Sequence, residues 1–275
     1  MKWRVFQKPQ LAGIMNRLKQ EWIYFRTAVM FFTRIPIPGK LPWSNEIMNH
    51  SQKYYAWTGL IVGAAYALVF YFSQFIFGYE IAIILSMGTG VLLTGAFHED
   101  GFTDVCDSFG GGYGKEKIMT IMKDSRIGAY GGIGIVLLLL LKFLSLLQLA
   151  NLSNPVFMCF VFLLSNALSR FVAASTIYTH QYVRDADTSK AKPIADQALP
   201  ATALLVGIVA VLLPSVLFAE WKYLGVFFTA YTAKIAMAAY FKKHIGGYTG
   251  DCLGAIQQVS EVVIYLSAIL IWKYI

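Results

Sequence analysis

The stretch YYAWTGLIVGAAYALVFYFSQFIFGYEIAIILSMGTGVLLTGAF, residues 54–97, decides the fold. Its 44 residues include one charged side chain, Glu80. A helix rises about 1.5 Å per residue, and about 20 apolar residues cross the hydrocarbon core of a bilayer. The stretch is therefore long enough for two crossings, 54–77 and 79–97, with a very short turn at Gly78. Five further apolar runs follow at 127–150, 154–179, 198–219, 223–241 and 253–272. Together they predict an all-α, polytopic membrane helix bundle of about seven spans. The whole chain agrees: 275 residues are 57% hydrophobic and only 14% charged, with a mean hydropathy of +0.57. A soluble domain carries about a quarter charged residues.

Connections at 78–80, 151–153 and 220–222 are too short to recross the bilayer, so neighbouring spans alternate in direction. The longer connections, 98–126, 180–197 and 242–252, then fall on one face with residues 1–53. That face holds 18 of the 23 lysines and arginines and 12 of the 15 acids. The positive-inside rule puts it in the cytoplasm. The same asymmetry accounts for the net charge of +8 without a nucleic-acid partner; membrane lipid is the expected surrounding. Cys106, Cys159 and Cys252 are an odd number without C-x-x-C spacing, which argues against a disulfide framework and a zinc site.

Residues 1–21 carry Lys2, Arg4, Lys8, Arg17 and Lys19 and lack the apolar core of a signal peptide. They are read as a basic cytoplasmic extension, with 22–275 as one membrane-embedded catalytic domain. Residues 22–35 are apolar but short, carry Arg26 and Arg34, and stop at Pro36 and Pro38. They predict an interfacial or re-entrant helix rather than an eighth span.

The chemistry concentrates at His98-Glu99-Asp100-Gly101-Phe102-Thr103-Asp104-Val105-Cys106-Asp107. Asp100, Asp104 and Asp107 fall at i, i+4 and i+7, on one helical face. Stacked carboxylates repel. If the preceding span runs on through them, they also meet the negative end of its dipole. A divalent cation relieves both, and an all-oxygen set suits Mg²⁺ or Mn²⁺. The bland alternative is a solvated acidic turn. Gly110, Gly111 and Gly112 let backbone N–H groups approach an anion, although a plain connector looks the same. Lys123-Asp124-Ser125-Arg126 follows an amphipathic segment bearing Ile118, Met119, Ile121 and Met122. Cations beside Asp suit a phosphate held against a metal; Arg126 as a plain positive-inside anchor is the alternative. Gly247-Tyr248-Thr249-Gly250-Asp251 precedes the last span, where Asp251 reads as a ligand or as a helix cap.

Arg170, Lys234 and Glu261 lie at similar depth in three spans and predict one polar pocket, with Glu261 paired to Arg170 or Lys234. Lys142, nearer the outer face, is expected to snorkel.

These residues resemble the cobalamin synthase family, the adenosylcobinamide-GDP ribazoletransferases. The matching pieces are Thr33-Arg34-Ile35-Pro36, His98-x-Asp100-Gly101-x-x-Asp104-x-x-Asp107, Lys123-Asp124-Ser125-Arg126-Ile127-Gly128, Ser169-Arg170, and Gly247-Tyr248-Thr249-Gly250-Asp251-x-Leu253-Gly254-Ala255. They come in order and cover the chain from about residue 25. Gln258 departs, standing where an acidic residue is expected. The resemblance implies an inner-membrane enzyme of the last stage of vitamin B12 assembly. It would join adenosylcobinamide-GDP to α-ribazole or its 5′-phosphate, release GMP and require Mg²⁺. The expected roles are Asp100, Asp104, Asp107 and Asp251 on the metal, and His98, Lys123, Asp124 and Arg126 in catalysis. Gly110, Gly111, Gly112, Ser125, Arg170, Tyr248 and Thr249 would contact substrate. Oligomeric state stays open, a homo-oligomer included. The residues alone reach only metal-assisted phosphoryl transfer at the inner face; the corrinoid comes from the resemblance.

Two rivals use related physics. A CDP-alcohol phosphotransferase needs Ala-Arg after D-G-x-x, where this chain has Asp104-Val105. A cation transporter would place its ionisable residues near the midplane, whereas these acids cluster at the inner boundary.

Overall fold

The computed structural model describes residues 8–183 and 199–275. Ten helices carry the described chain: α1 (Lys8–Phe32), α2 (Asn45–Ser51), α3 (Tyr55–Thr94), α4 (Phe97–Gly111), α5 (Lys115–Ile121), α6 (Ala129–Leu152), α7 (Pro155–Ser175), α8 (Thr202–Phe218), α9 (Val226–Ile245) and α10 (Gly250–Tyr274). Among the described residues the extended element is an isolated parallel bridge between Tyr182 and Tyr248. Five helical segments are long and apolar enough to cross a membrane: Asn45–Thr94, Ala129–Leu152, Pro155–Tyr178, Trp221–Ile245 and Gly250–Tyr274. α8 is apolar but has 17 residues.

α3 is a hairpin. Gly78 has φ 79° and ψ 176°, a conformation that only glycine adopts without strain. The Ser86 hydroxyl donates to the Tyr66 carbonyl across 3.1 Å. Residues twenty apart on one straight helix would lie about 30 Å apart, so the two arms fold back on each other at Gly78, as the sequence predicts.

α7 is the central post, with 83% of its span buried. The first arm of α3 packs closely against it through Gly59 and Gly63. A Cβ at Gly59 would fall 2.3 Å from the Asn166 carbonyl oxygen, and one at Gly63 2.5 Å from that of Phe162. Small residues four apart are what lets two apolar helices approach within a bilayer, where water drives nothing together. α10 lies against α4, α6, α7 and α9. Leu137, Leu140, Leu141 and Leu144 of α6 face outward.

The predicted span 79–97 ends early. α3 stops at Thr94; Gly95 (φ 69°) and Ala96 (φ 59°) take the left-handed conformation, and α4 starts afresh at Phe97. Glu99 and Asp100 therefore stand in the first turn of a new helix. They meet its positive end, so the expected dipole conflict is reversed for them.

α1 runs unbroken through the 21/22 boundary and ends at Phe32, before Pro36. It is not among the helices apolar enough to cross. Lys2 and Arg4 of the predicted extension, and positions 184–197 of the predicted 180–197 connection, lie outside the described residues.

Candidate active site

α4 is helical throughout, so Asp100, Asp104 and Asp107 do share a face. Two glycines seat this helix on α10. A Cβ at Gly101 would fall 3.0 Å from the Asp251 carbonyl oxygen, and one at Gly254 3.2 Å from that of His98. The close approach brings the start of α10, with Asp251 in its first turn, against the acid-bearing turns of α4. Thr249, not Asp251, caps α10: its hydroxyl accepts the Cys252 N–H at 3.3 Å. Asp100 is exposed, while Asp104 and Asp251 are half-buried.

Asp107 turns toward α6 instead. Its carboxylate accepts the N–H of Gly128 and of Gly131, both at 2.7 Å. This links the acidic helix to the end of the Lys123–Gly128 segment. Within that segment the Asp124 carboxylate accepts the Arg126 backbone N–H at 3.1 Å and its guanidinium at 2.6 Å. These contacts hold Asp124 down at about 2, below its ordinary value of 3.8. An open cleft of about 450 Å³ joins the two motifs, lined by Asp107, Gly111, Asp124, Arg126, Gly128 and Tyr130. Lys123 and Ser125 are exposed beside it.

The glycine run has packing work of its own. The Tyr130 ring covers Gly110, and Gly112 lies against the Ser108 carbonyl and Ile118. Tyr248 and Thr249 are buried. Tyr248 exchanges backbone hydrogen bonds with Gln181 and Val183, and the Thr249 hydroxyl also meets the Met122 sulfur. These two residues hold loops together at a distance from the open surface. His98 is 1% exposed, and its Nε2 meets the Tyr55 hydroxyl. Burial first, then the positive charges of Arg170 and Lys142, holds its imidazole well below the usual histidine range.

Beneath the aspartates lies a buried polar chain that the sequence reading misassigned. Glu261 pairs with Lys142 at 3.1 Å, not with Arg170 or Lys234. Lys142 does not snorkel: it also donates to Gln258 Oε1 at 2.9 Å, and Gln258 Nε2 donates to Glu99 Oε1 at 2.9 Å. Hydropathy gives depth along a span but not the direction a side chain points, and Lys142 points inward. Arg170 donates to the Asn166 carbonyl and side chain, and Lys234 to the Thr179 hydroxyl. The predicted single pocket of Arg170, Lys234 and Glu261 is thus divided, although Arg170 still acts on Glu261 through its charge. Gln258, the position that departs from the expected acid, bridges a carboxylate and an ammonium; an ionised acid in its place would lose the donor and repel Glu99.

Arg34 has a structural task that its place in the sequence does not reveal. Its N–H donates to the Leu93 carbonyl at 2.7 Å and its guanidinium lies on Gly95, bracing the break that starts α4.

Among the described residues, no three His, Cys, Asp or Glu side chains stand close enough together to hold a metal ion. The donor chemistry at the α4–α10 junction nevertheless fits a hard cation. Asp100, Asp104 and Asp251 are oxygen donors, and Glu99, the sequence neighbour of Asp100, has its Oε2 buried without a hydrogen-bond partner. Asp107 is the poor fit, since both its oxygens are engaged by α6.

Residues 24–269 match the cobalamin-5-phosphate synthase family. Among curated proteins, the adenosylcobinamide-GDP ribazoletransferase of Shewanella amazonensis is 44% identical over 264 residues, covering 94% of this chain and 99% of that protein. That of Vibrio parahaemolyticus is 44% identical, covering 94% and 96%. That of Vibrio cholerae is 43% identical over 250 residues, covering 90% and 94%. No solved structure matches the chain.

Proposed function

We infer the reaction of this site from one premise: the chain belongs to the cobalamin-5-phosphate synthase family. It is a transferase that joins adenosylcobinamide-GDP to α-ribazole or its 5′-phosphate. The products are adenosylcobalamin or its 5′-phosphate, and GMP. The observation that carries the site assignment is the cleft between the end of α4 and the Asp124–Gly128 segment, on the same helix whose first turns are packed against the start of α10.

A ribose hydroxyl attacks the phosphorus attached to the cobinamide arm. The new P–O ester bond forms as the pyrophosphate P–O bond to GMP breaks, and the hydroxyl proton goes to a site carboxylate. His98 is too deeply buried to take it. Asp100, Asp104 and Asp251 would hold Mg²⁺, which supplies charge neutralisation to the pyrophosphate when bound. Arg126, 87% exposed in its side chain, together with Lys123, grips the departing phosphate. Asp124 pre-orients the guanidinium.

The same reading gives seven crossings: two from the α3 hairpin and one each from α6 to α10. α1 lies at the interface, and the site faces the cytoplasm of the inner membrane. Lys and Arg asymmetry supports that orientation. Cysteines engineered at 108–120 should then be protected in intact cells while sites at 152 and 221 react; labelling of 108–120 from outside would reverse it. For the activity, purified protein with Mg²⁺ should release GMP from adenosylcobinamide-GDP only when α-ribazole or its phosphate is present. No release under those conditions would sink the assignment.

A further inference from the structure

We propose that Asp107 is a positioning residue, a helix cap supplied to α6 from α4, and that the metal is held without it. The proposal rests on the reading above for its metal and kinetic arms; the thermal arm stands without it.

α6 lacks a cap of its own. Its N-cap position is Gly128 and its third helical position is Gly131, and Gly128 has no side chain to offer. In a capping box the N-cap side chain accepts the N–H of the third helical residue, whose own side chain accepts the N-cap N–H. Here one carboxylate performs both tasks from another helix. Asp107 Oδ2 takes the Gly128 N–H and Oδ1 takes the Gly131 N–H, each at 2.7 Å.

The fit needs both glycines. A Cβ at Gly128 would fall 2.5 Å from Asp107 Oδ1, and one at Gly131 would fall 2.3 Å from Oδ2. The carboxylate also sits 21 and 24 residues away in sequence from the groups it caps, so the contact fixes the ends of the whole 112–127 excursion. Arg126 and Asp124 belong to that excursion. Asp107 thereby sets where the phosphate-gripping guanidinium stands relative to Asp100 and Asp104. A ligand role would pull the carboxylate away from α6 and leave two N–H groups at a helix start unmet.

The test uses full-length protein in detergent, with Asp107→Asn, Gly131→Ala, the double variant, and Asp104→Asn as the ligand reference. Mn²⁺ binding is read from the free-ion EPR signal, stability from the thermal midpoint, and kcat and KM from GMP release per folded molecule. Asp107→Asn keeps one acceptor oxygen and loses the other, while Gly131→Ala crowds the contact apart and leaves every carboxylate chemically intact.

Both should leave the Mn²⁺ dissociation constant within about two-fold. Each should lower the midpoint by about 2–4 °C, the shift expected for one lost cap in a chain of this size. Each should reduce kcat by about ten-fold with KM little changed, as expected for a misplaced group that acts in the transition state. The double variant should be no worse than the deeper single variant, because both break one contact.

Asp104→Asn should weaken Mn²⁺ at least ten-fold. An equal loss of Mn²⁺ in Asp107→Asn would make Asp107 a ligand and overturn the proposal, as would additive thermal losses in the double variant. Should the native protein release no GMP, the assigned reaction fails while the thermal cycle still decides the cap.

Discussion

Two ion pairs in this molecule share their chemistry and little else. Lys142 and Glu261 meet at 3.1 Å with side chains 3% and 2% exposed. Arg126 and Asp124 meet at 2.6 Å with side chains 87% and 39% exposed. The buried pair is wired on every side: Tyr265 and Gln257 donate to Glu261, each at 2.7 Å, and Gln258 takes a third contact from Lys142. In low dielectric neither ion tolerates solitude. The open pair gains little from its own attraction, because water screens it. Its guanidinium can leave Asp124 for a phosphate at small cost. Burial, not distance, separates a pair that holds the bundle from one that is free to work.

The largest effect should come from isolating a buried ion. Lys142→Met should cost about 3–5 kcal/mol in denaturant unfolding, and adding Glu261→Leu should restore most of it. Equal or additive losses would dissolve the contrast. At the open end, Asp104→Asn should lower turnover by about 10² or more with unfolding little changed, in the range of lost electrostatic stabilisation. Near-normal turnover at saturating Mg²⁺ would remove Asp104 from the site. Arg126→Lys keeps the charge but loses the bidentate fork, so GMP release should fall about ten-fold while stability moves by less than about 0.5 kcal/mol. A large stability loss there would mean that the exposed pair is structural after all.

The smallest effect concerns pH. Asp124 titrates at about 2 in the folded chain, below its ordinary 3.8. Its contribution to stability is therefore complete above about 4 and is lost only as pH falls toward 2. Asp124→Asn should leave the shape of acid unfolding above pH 5 unchanged; a displaced midpoint in that range would contradict the low value.

Hydropathy carried most of the fold, because apolar length is a strong signal and Gly78 is a plain turn residue. It failed at Thr94–Phe97, where the apolar run continues across a left-handed break. Gly95 offered a hint, as a glycine just past a helix end often does, but nothing in composition separates it from Gly90. Within the site, the i, i+4, i+7 spacing placed three aspartates on one face correctly. It could not say that Asp107 would find its partners 21 and 24 residues later on α6. Lys142 was misjudged for a related reason: depth is legible in a sequence and azimuth is not. Gln258 was visible as an oddity, and only the contact with Glu99 explains it.

The joint between α3 and α4 has no slack. Two residues, Gly95 and Ala96, carry the chain from one helix axis to the next, with Arg34 pressed against the bend. A residue inserted into the second arm of α3 would turn everything beyond it by about 100° and shift it by about 1.5 Å. Asp100 and Asp104 would then swing off the face that meets α10. The same insertion at 112–114, where no helix is continuous, would be absorbed locally. The apolar residues 79–94 thus serve as a ruler: their number sets the phase of the acidic face that follows them.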